Sequence, residues 1–227
     1  MPSHDRRGRP ALTAGEREAR RLHILAAAKE VFGRAGFTAT KIGDVASAAG
    51  LAYGSIYTYF ESKEVLFRSV LEQVEGSLRD HVLGQAFPSG EPVDLASVLR
   101  RATIAVFDYF EADPAAAKVL FRDAHALGER LERELFDIYE RFVDDIETLI
   151  VEAQRQHLVV DGPPRVIAFS VAALLGQLAF RRLRVDDGLD AEALGTFVAG
   201  LLLDGVRPPG TRSGQTTSAA GAANWEL

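Results

Sequence analysis

Apolar residues recur at three- and four-residue spacing along most of the chain, and this period predicts helices. The first apolar stripe, within 16–34, consists of Leu22, Leu25, Ala26, Ala28, Val31 and Phe32. No segment shows a sustained two-residue alternation of β-branched residues, which would indicate a strand. The pattern therefore predicts an all-α fold.

Capping residues and helix breakers divide the rest of the chain into further helices. Thr40, Ser62 and Asp94 are predicted N-caps, and Pro114 lies in the first turn of another helix. The helices expected after the first are 42–49, 53–60, 63–83, 95–111, 114–127, 129–157, 165–184 and 191–206.

The stretch Thr38 to Phe67 contains two short predicted helices joined by a tight turn. Gly50 ends the first helix, because so short a turn commonly needs a residue with positive φ. In the second helix Ile56 and Phe60 are four residues apart and face inward. The residues on its other faces are Tyr53, Ser55, Thr58 and Tyr59. A short helix with this polar face fits the major groove, so the stretch predicts a helix-turn-helix that binds duplex DNA.

Several residues of this stretch have side chains suited to DNA. Gly54 leaves out a side chain where the backbone would meet DNA, and the Tyr57 hydroxyl can donate to a phosphate. Lys63 places a cation beside the free N–H groups of a helix start. Thr40 and Lys41 offer the same kind of phosphate contact at the start of the preceding helix.

Charge is distributed unevenly along the chain, which has a formal net charge of -6. Residues 1–70 contain 11 basic and 7 acidic residues, a balance of +4, and the remainder therefore carries -10. A basic front on an acidic body indicates a DNA-binding surface at the N-terminal end. Residues 1–15 form a predicted flexible basic arm, and the Pro-, Gly-, Ser- and Thr-rich residues 207–227 a predicted disordered tail.

Other classes of protein find little support. The chain has no cysteine and its N-terminus lacks the apolar run of a secretory signal, which fits a protein of the reducing cytoplasm. No apolar stretch reaches the ~20 residues of a membrane span. No metal-ligand spacing, phosphate-binding Gly loop or nucleophile elbow indicates an enzyme or a cofactor. The histidines are scattered, at His4, His23, His81, His125 and His157.

The pattern from Thr40 to Leu66, with GSIYTYFESKEVLF at 54–67, closely resembles the DNA-binding domain of TetR-type transcriptional regulators. This resemblance, over about 18–67, implies an all-helical homodimer that binds a palindromic operator and holds a small-molecule effector in its C-terminal domain. It implies base-reading positions at Tyr53 and Ser55. It implies phosphate-contacting positions at Thr40, Tyr57, Tyr59 and Lys63. Ala52 departs from the family, which often has Ser there.

Within the predicted domains, a helix-turn-helix unit at 16–63 precedes a ligand-binding and dimerisation unit at 64–206. The family analogy predicts an effector pocket on the middle helices. We expect it at Phe107, Phe110, Phe121, His125, Phe142, Phe169 and Gln177. Apolar groups with few polar ones suit a lipophilic ligand. Residues 121–154 also resemble, more loosely, the sensor domains of regulators of fatty-acid or acyl-thioester metabolism.

The last two helices are more apolar than one buried face requires, and two from each subunit would form a four-helix dimer interface. The expected interface residues are Leu174, Leu178, Arg181, Phe197 and Leu201. Two alternatives stay open at this stage. The chain is a helical small-molecule-binding protein or enzyme with a purely structural N-terminal bundle, or it activates rather than represses transcription.

Overall fold

A computed structural model describes residues 13–89, 94–121 and 128–204. All regular structure in these residues is helical, as the apolar period predicts. The helices are α1 (Ala14–Ala35), α2 (Ile42–Ala48), α3 (Tyr53–Tyr57), α4 (Lys63–Ala86), α5 (Leu95–Ala112), α6 (Pro114–Phe121), α7 (Gly128–Arg155), α8 (Pro164–Arg182) and α9 (Ala191–Asp204). The predicted arm through residue 12 and the tail at 207–227 lie outside the described residues.

Side-chain caps fix the starts of several helices. The Ser62 hydroxyl accepts from the Val65 N–H at 3.2 Å, and the Asp94 carboxylate accepts from the Ser97 N–H at 2.9 Å. Both predicted N-caps are therefore confirmed, and each satisfies an N–H group that the helix leaves unpaired. α4 continues to Ala86, past the loop predicted from Gly84.

The predicted N-cap of α2 is wrong. The cap position is Lys41, and the Asp44 carboxylate accepts from the Lys41 N–H at 3.0 Å. Thr40 is 2% exposed, and its hydroxyl donates to the Gly36 carbonyl at 2.7 Å. That carbonyl lies just beyond α1, so Thr40 stabilises the end of α1 rather than the start of α2.

The first three helices and the start of α4 share one core. Phe32 of α1 and Phe67 of α4 are fully buried, and their rings meet edge to face with centroids 4.9 Å apart. Ile56 of α3 belongs to the same cluster. Leu22, expected in the buried stripe, is 44% exposed, because the buried face of α1 begins at Ile24.

The hydrophobic core continues from this unit into the C-terminal helices. α4 contacts α1, α5 and α7, and α6 also packs on α1. At that second contact Gly33 lies so close to Ala115 that an added Cβ would stand 3.0 Å from the Ala115 Cβ. α1, which belongs to the helix-turn-helix unit, is therefore in tight contact with α6 of the C-terminal helices.

The C-terminal helices are held by close helix crossings and by ion pairs. α5 and α9 cross at Gly195, where a Cβ would come within 2.6 Å of the Ile104 Cα. α7 and α8 are joined by Arg165, which pairs with three carboxylates, those of Glu140, Asp144 and Glu147. These hydrogen bonds, with that to Asp144 the largest cause, raise the pKa of Arg165.

One helix of the described residues, α8, is long and apolar enough to span a membrane by length and composition alone. Only 22% of its apolar window is buried. In the fold it packs on α5, α6 and α7, with Arg165 and Arg182 at its ends in ion pairs to other elements. Most of its apolar window is not buried by the described residues.

Candidate nucleic-acid interface and ligand cavities

α3 has one buried face and one open face. Ile56 is 1% exposed, and Phe60 immediately beyond the helix is 2% exposed. Tyr53 and Tyr57, by contrast, are 58% and 44% exposed. Since aromatic side chains of this size are usually more buried, α3 presents an unusual aromatic surface to solvent.

The two exposed tyrosines contact each other. Their hydroxyl oxygens are 3.2 Å apart and their ring centroids 5.4 Å apart. The hydrogen bond with Tyr53, the largest of its causes, raises the pKa of Tyr57 above its ordinary value. Tyrosine hydroxyls are protonated at neutral pH in any case, so whichever of the two does not donate within the pair can donate to an anionic oxygen.

Between the tyrosines the surface is small and polar. A Cβ at Gly54 would meet nothing within 4 Å, so its lack of a side chain is not required by packing inside the chain. Ser55 is half-buried and Lys41 is exposed. Tyr59 is half-buried and packs on the core, with the Arg17 guanidinium 5.9 Å from its ring centroid.

Lys63 has a role that the sequence did not indicate. Its ammonium group donates to the carbonyls of Phe37 at 2.9 Å and Thr40 at 3.2 Å. It also lies 4.4 Å from the centroid of the Phe37 ring. The start of α4 is thereby fastened to the loop between α1 and α2. The Lys63 donors are thus engaged and the Thr40 hydroxyl is buried within the chain, and their phosphate contacts stay a prediction.

Two cations and a histidine on α1 were missed by the sequence reasoning. Arg17 and Arg21 lie over the rings of Tyr59 and Phe60, at 5.9 and 5.6 Å from the centroids. A His23 ring nitrogen lies 2.9 Å from the carbonyl oxygen of Ala49, at the end of α2. The spacing along α1 alone gave no signal for these contacts, because they join residues 26 or more positions apart.

An open cavity of about 420 Å³ lies between α5, α6, α8 and the α8–α9 loop. Its apolar lining includes Phe107, Phe110, Ala179, Leu183 and Leu189. The charged groups at its rim are Glu111, Lys118, Arg182 and Asp190. Arg182 is engaged by Glu111 and Asp187.

Only part of the predicted pocket meets at this cavity. Phe107 and Phe110 line it, and the Phe121 ring lies next to Phe110 with centroids 5.4 Å apart. Phe142 packs between α7 and α8. Phe169 is 46% exposed and its ring packs on Tyr139 of α7, and Gln177 is exposed, so neither lines this cavity. His125 lies outside the described residues.

A second open cavity, of about 570 Å³, separates α1 from the α5–α6 junction. α1 contributes Lys29, Glu30, Gly33 and Arg34 to its walls, and the junction contributes Asp113, Pro114 and Lys118. Lys29 forms an ion pair with Asp113. Pro114 and Lys118 also line the first cavity, so the two cavities are neighbours.

The residues expected at a dimer interface lie on α8 and α9. Phe197 is 65% exposed and Arg181 is exposed. Leu174, Leu178 and Leu201 are partly buried. Within residues 13–89, 94–121 and 128–204, no cluster of three or more His, Asp or Glu residues suits a metal ion.

α2 and α3 are joined by a turn at Gly50, and α3 has one buried face and one open face. This arrangement is a helix-turn-helix, and a larger all-helical unit follows it in the chain. Residues 24–70 match the family model described as bacterial regulatory proteins, tetR family. The transcriptional repressor LfrR of Mycolicibacterium smegmatis is 31% identical over 55% of this chain and 69% of its own length. The chain belongs to the TetR family of bacterial transcriptional regulators.

Two further proteins extend the comparison. The regulator AcrR of Shigella flexneri is 34% identical, and the match spans 52% of this chain but only 55% of AcrR. The FadR regulator of Bacillus subtilis, solved in complex with stearoyl-CoA, has a TM-score of 0.74 at 20% identity. That alignment covers 82% of this chain and 99% of FadR, and it shows a shared fold.

Proposed function

We propose that the protein is a homodimeric repressor that binds a palindromic operator and leaves it when a small lipophilic molecule binds. The observation that carries the proposal is α3, with Ile56 buried and Tyr53 and Tyr57 open to solvent on a helix-turn-helix. Because Tyr53 and Tyr57 are not buried in the core, their side chains are available to contact another molecule. In this family that molecule is DNA.

We assign base reading to Tyr53 and Ser55, and backbone contact to Tyr57, Tyr59 and Lys41. Gly54 would let the backbone of α3 approach the groove, since its place is open. A dimer would set two such helices one DNA turn apart, roughly 34–36 Å. Exposed apolar side chains on α8 and α9, among them Val166, Phe169 and Phe197, support a partner subunit on these helices.

The effector would bind among the C-terminal helices, where the 420 Å³ cavity has an apolar floor and charged rim. A long-chain acyl thioester or fatty acid suits such a lining. The stearoyl-CoA bound by the FadR relative supports the same class of ligand. Contact of α6 with α1 gives a physical route for ligand binding to bias the spacing of the DNA-reading helices.

An electrophoretic mobility shift with DNA from upstream of the protein's own gene tests the DNA-binding function. We expect a shifted band whose affinity falls steeply with salt, because phosphate contacts release counterions. Folded, dimeric protein that shifts no DNA at low salt would favour the alternative, a helical ligand-binding protein with a structural N-terminal bundle.

A further inference from the structure

The two cavities meet at α6. Pro114 and Lys118 belong to the walls of both, so the two cavities are neighbours. The first is lined by phenylalanine and leucine side chains together with charged groups, whereas the second is lined mainly by charged groups. The first is therefore the apolar end of this pair of cavities, and the second is the polar end.

The polar end has an excess of positive charge. Lys29, Arg34 and Lys118 face Glu30 and Asp113 there, and the Lys29–Asp113 ion pair cancels two of these five charges. In the described part of the chain, no carboxylate pairs with Lys118 or Arg34.

Lys118 is held at the junction by its neighbours. Ala117 and Val119 are 0% and 1% exposed, so α6 is packed on both sides of this residue and the lysine itself is half-buried. A partly desolvated ammonium group without a partner is unfavourable, and an anion beside it would be strongly held. A freely solvated surface lysine would not have this setting.

We infer that the two neighbouring cavities together bind an anionic amphiphile that passes Lys118, with its head group on Lys118 and Arg34 and its apolar chain over Phe107, Phe110 and Leu183. The inference rests on the proposed ligand-controlled function and specifies the chemistry of the ligand. The shared requirement is a negatively charged head, whether phosphate or carboxylate, on an apolar chain.

This position of the head group would act directly on the DNA-binding unit. One wall of the polar end is α1, which is closely packed on α6 at Gly33 and tied to it by Lys29 and Asp113. An anion between these walls competes with Asp113 for Lys29 and separates α1 from Ala115. Binding therefore favours a different α1–α6 spacing, which is the requirement for a ligand to shift a conformational equilibrium.

Isothermal titration calorimetry on the full-length protein tests the inference with palmitoyl-CoA, palmitate and coenzyme A as probes. Lys118→Ala is the principal variant, and Arg34→Gln, on the exposed side of α1, is the second in case the first disturbs folding. Arg155→Ala is the control, since Arg155 lies at the far end of α7 with its side chain 72% exposed.

One of the two amphiphilic probes should bind the wild type. We expect Lys118→Ala to raise its Kd about tenfold, because one charge-assisted contact is lost, and Arg34→Gln to raise it severalfold. Arg155→Ala should bind as the wild type does, and coenzyme A without a chain should bind more weakly. If the two variants raise the Kd of palmitoyl-CoA, the head group is a phosphate. If they raise the Kd of palmitate alone, it is a carboxylate.

Wild-type affinity in both Lys118→Ala and Arg34→Gln would overturn the inference, as would no binding of any probe by protein that shifts operator DNA. Failure of the proposed function itself has a different signature. In that case the wild-type protein shifts no DNA at all, with or without the probes.

Discussion

The hydroxyl oxygens of Tyr53 and Tyr57 lie 3.2 Å apart on the open face of α3, one turn from each other. This pair gives the helix a fixed aromatic surface, because each side chain restricts the rotamers of the other. Leaving these two rings exposed to water does not stabilise the monomer, because apolar surface is stabilised by burial. DNA would cover this surface in the proposed complex.

Tyr57→Phe removes the donor while keeping the ring. We expect the affinity for all DNA sequences to fall by about 2- to 10-fold, the range of one hydrogen bond, with melting temperature nearly unchanged because the hydroxyl is exposed. Tyr53→Phe should instead alter preference between operator variants. Competition binding with a panel of mutated sites measures both, and an equal loss on every site for Tyr53→Phe would contradict its base-reading assignment.

Substitutions of Lys63 and Lys41 distinguish a lysine that stabilises the fold from one that contacts DNA. Lys63→Ala removes an ammonium group that donates to two carbonyls of the α1–α2 loop, so the free energy of unfolding should fall by about 1.5–3 kcal/mol. Lys41→Ala should leave stability unchanged and reduce the salt dependence of DNA binding by about one counterion. Urea denaturation and salt-titrated binding give the two readouts. The opposite assignment holds if Lys41→Ala is the destabilised variant.

The sequence was informative wherever local chemistry decides structure. Ser62 and Asp94 cap their helices as predicted, since a cap depends on residues three positions away. Thr40 was misassigned because its hydroxyl can either accept from an N–H at the start of α2 or donate to a carbonyl at the end of α1, and it does the second. Periodicity identified Ile56 and Phe60 as core residues for the same local reason.

Long-range contacts were beyond such reasoning. The carbonyl partners of Lys63 lie 23 and 26 positions away in the chain, and no sequence pattern marks them. The pocket was predicted from aromatic residues on the middle helices, which cannot distinguish the inner side of α8 from its outer side. Phe169 and Gln177 therefore lie outside the cavities, while Lys118, which lines both, was not selected.

Gly33→Val tests the close contact of α1 with α6. Its new side chain would meet the Cα and carbonyl oxygen of Ala115, 3.1 and 3.2 Å from the added Cβ. We expect a loss of about 1–3 kcal/mol in the free energy of unfolding, the usual effect of overpacking. Gly76→Val is the matched control, because a Cβ there meets nothing within 4 Å in the interior of α4. Equal effects of the two changes in urea denaturation would exclude a tight α1–α6 contact.

Phe197→Glu tests the proposed dimer interface. Phe197 is 65% exposed on α9, so a charge there should not disturb the fold of the monomer. In an interface core it should weaken dimerisation by about 2 kcal/mol or more. Sedimentation velocity over a concentration series measures this. Val160→Glu, at a loop residue that is 75% exposed, should leave the dimer intact, and an unchanged Phe197→Glu dimer would place the interface elsewhere.

The proposed ligand-controlled function requires coupling between the C-terminal cavities and α3. Fluorescence anisotropy of labelled upstream DNA, titrated with the protein at fixed salt with and without saturating palmitoyl-CoA, measures that coupling directly. We predict binding without the ligand and a rise in Kd of about 5- to 150-fold with it, the usual range of allosteric coupling. An identical Kd in both titrations, with calorimetric proof that the ligand is bound, would contradict this proposed function.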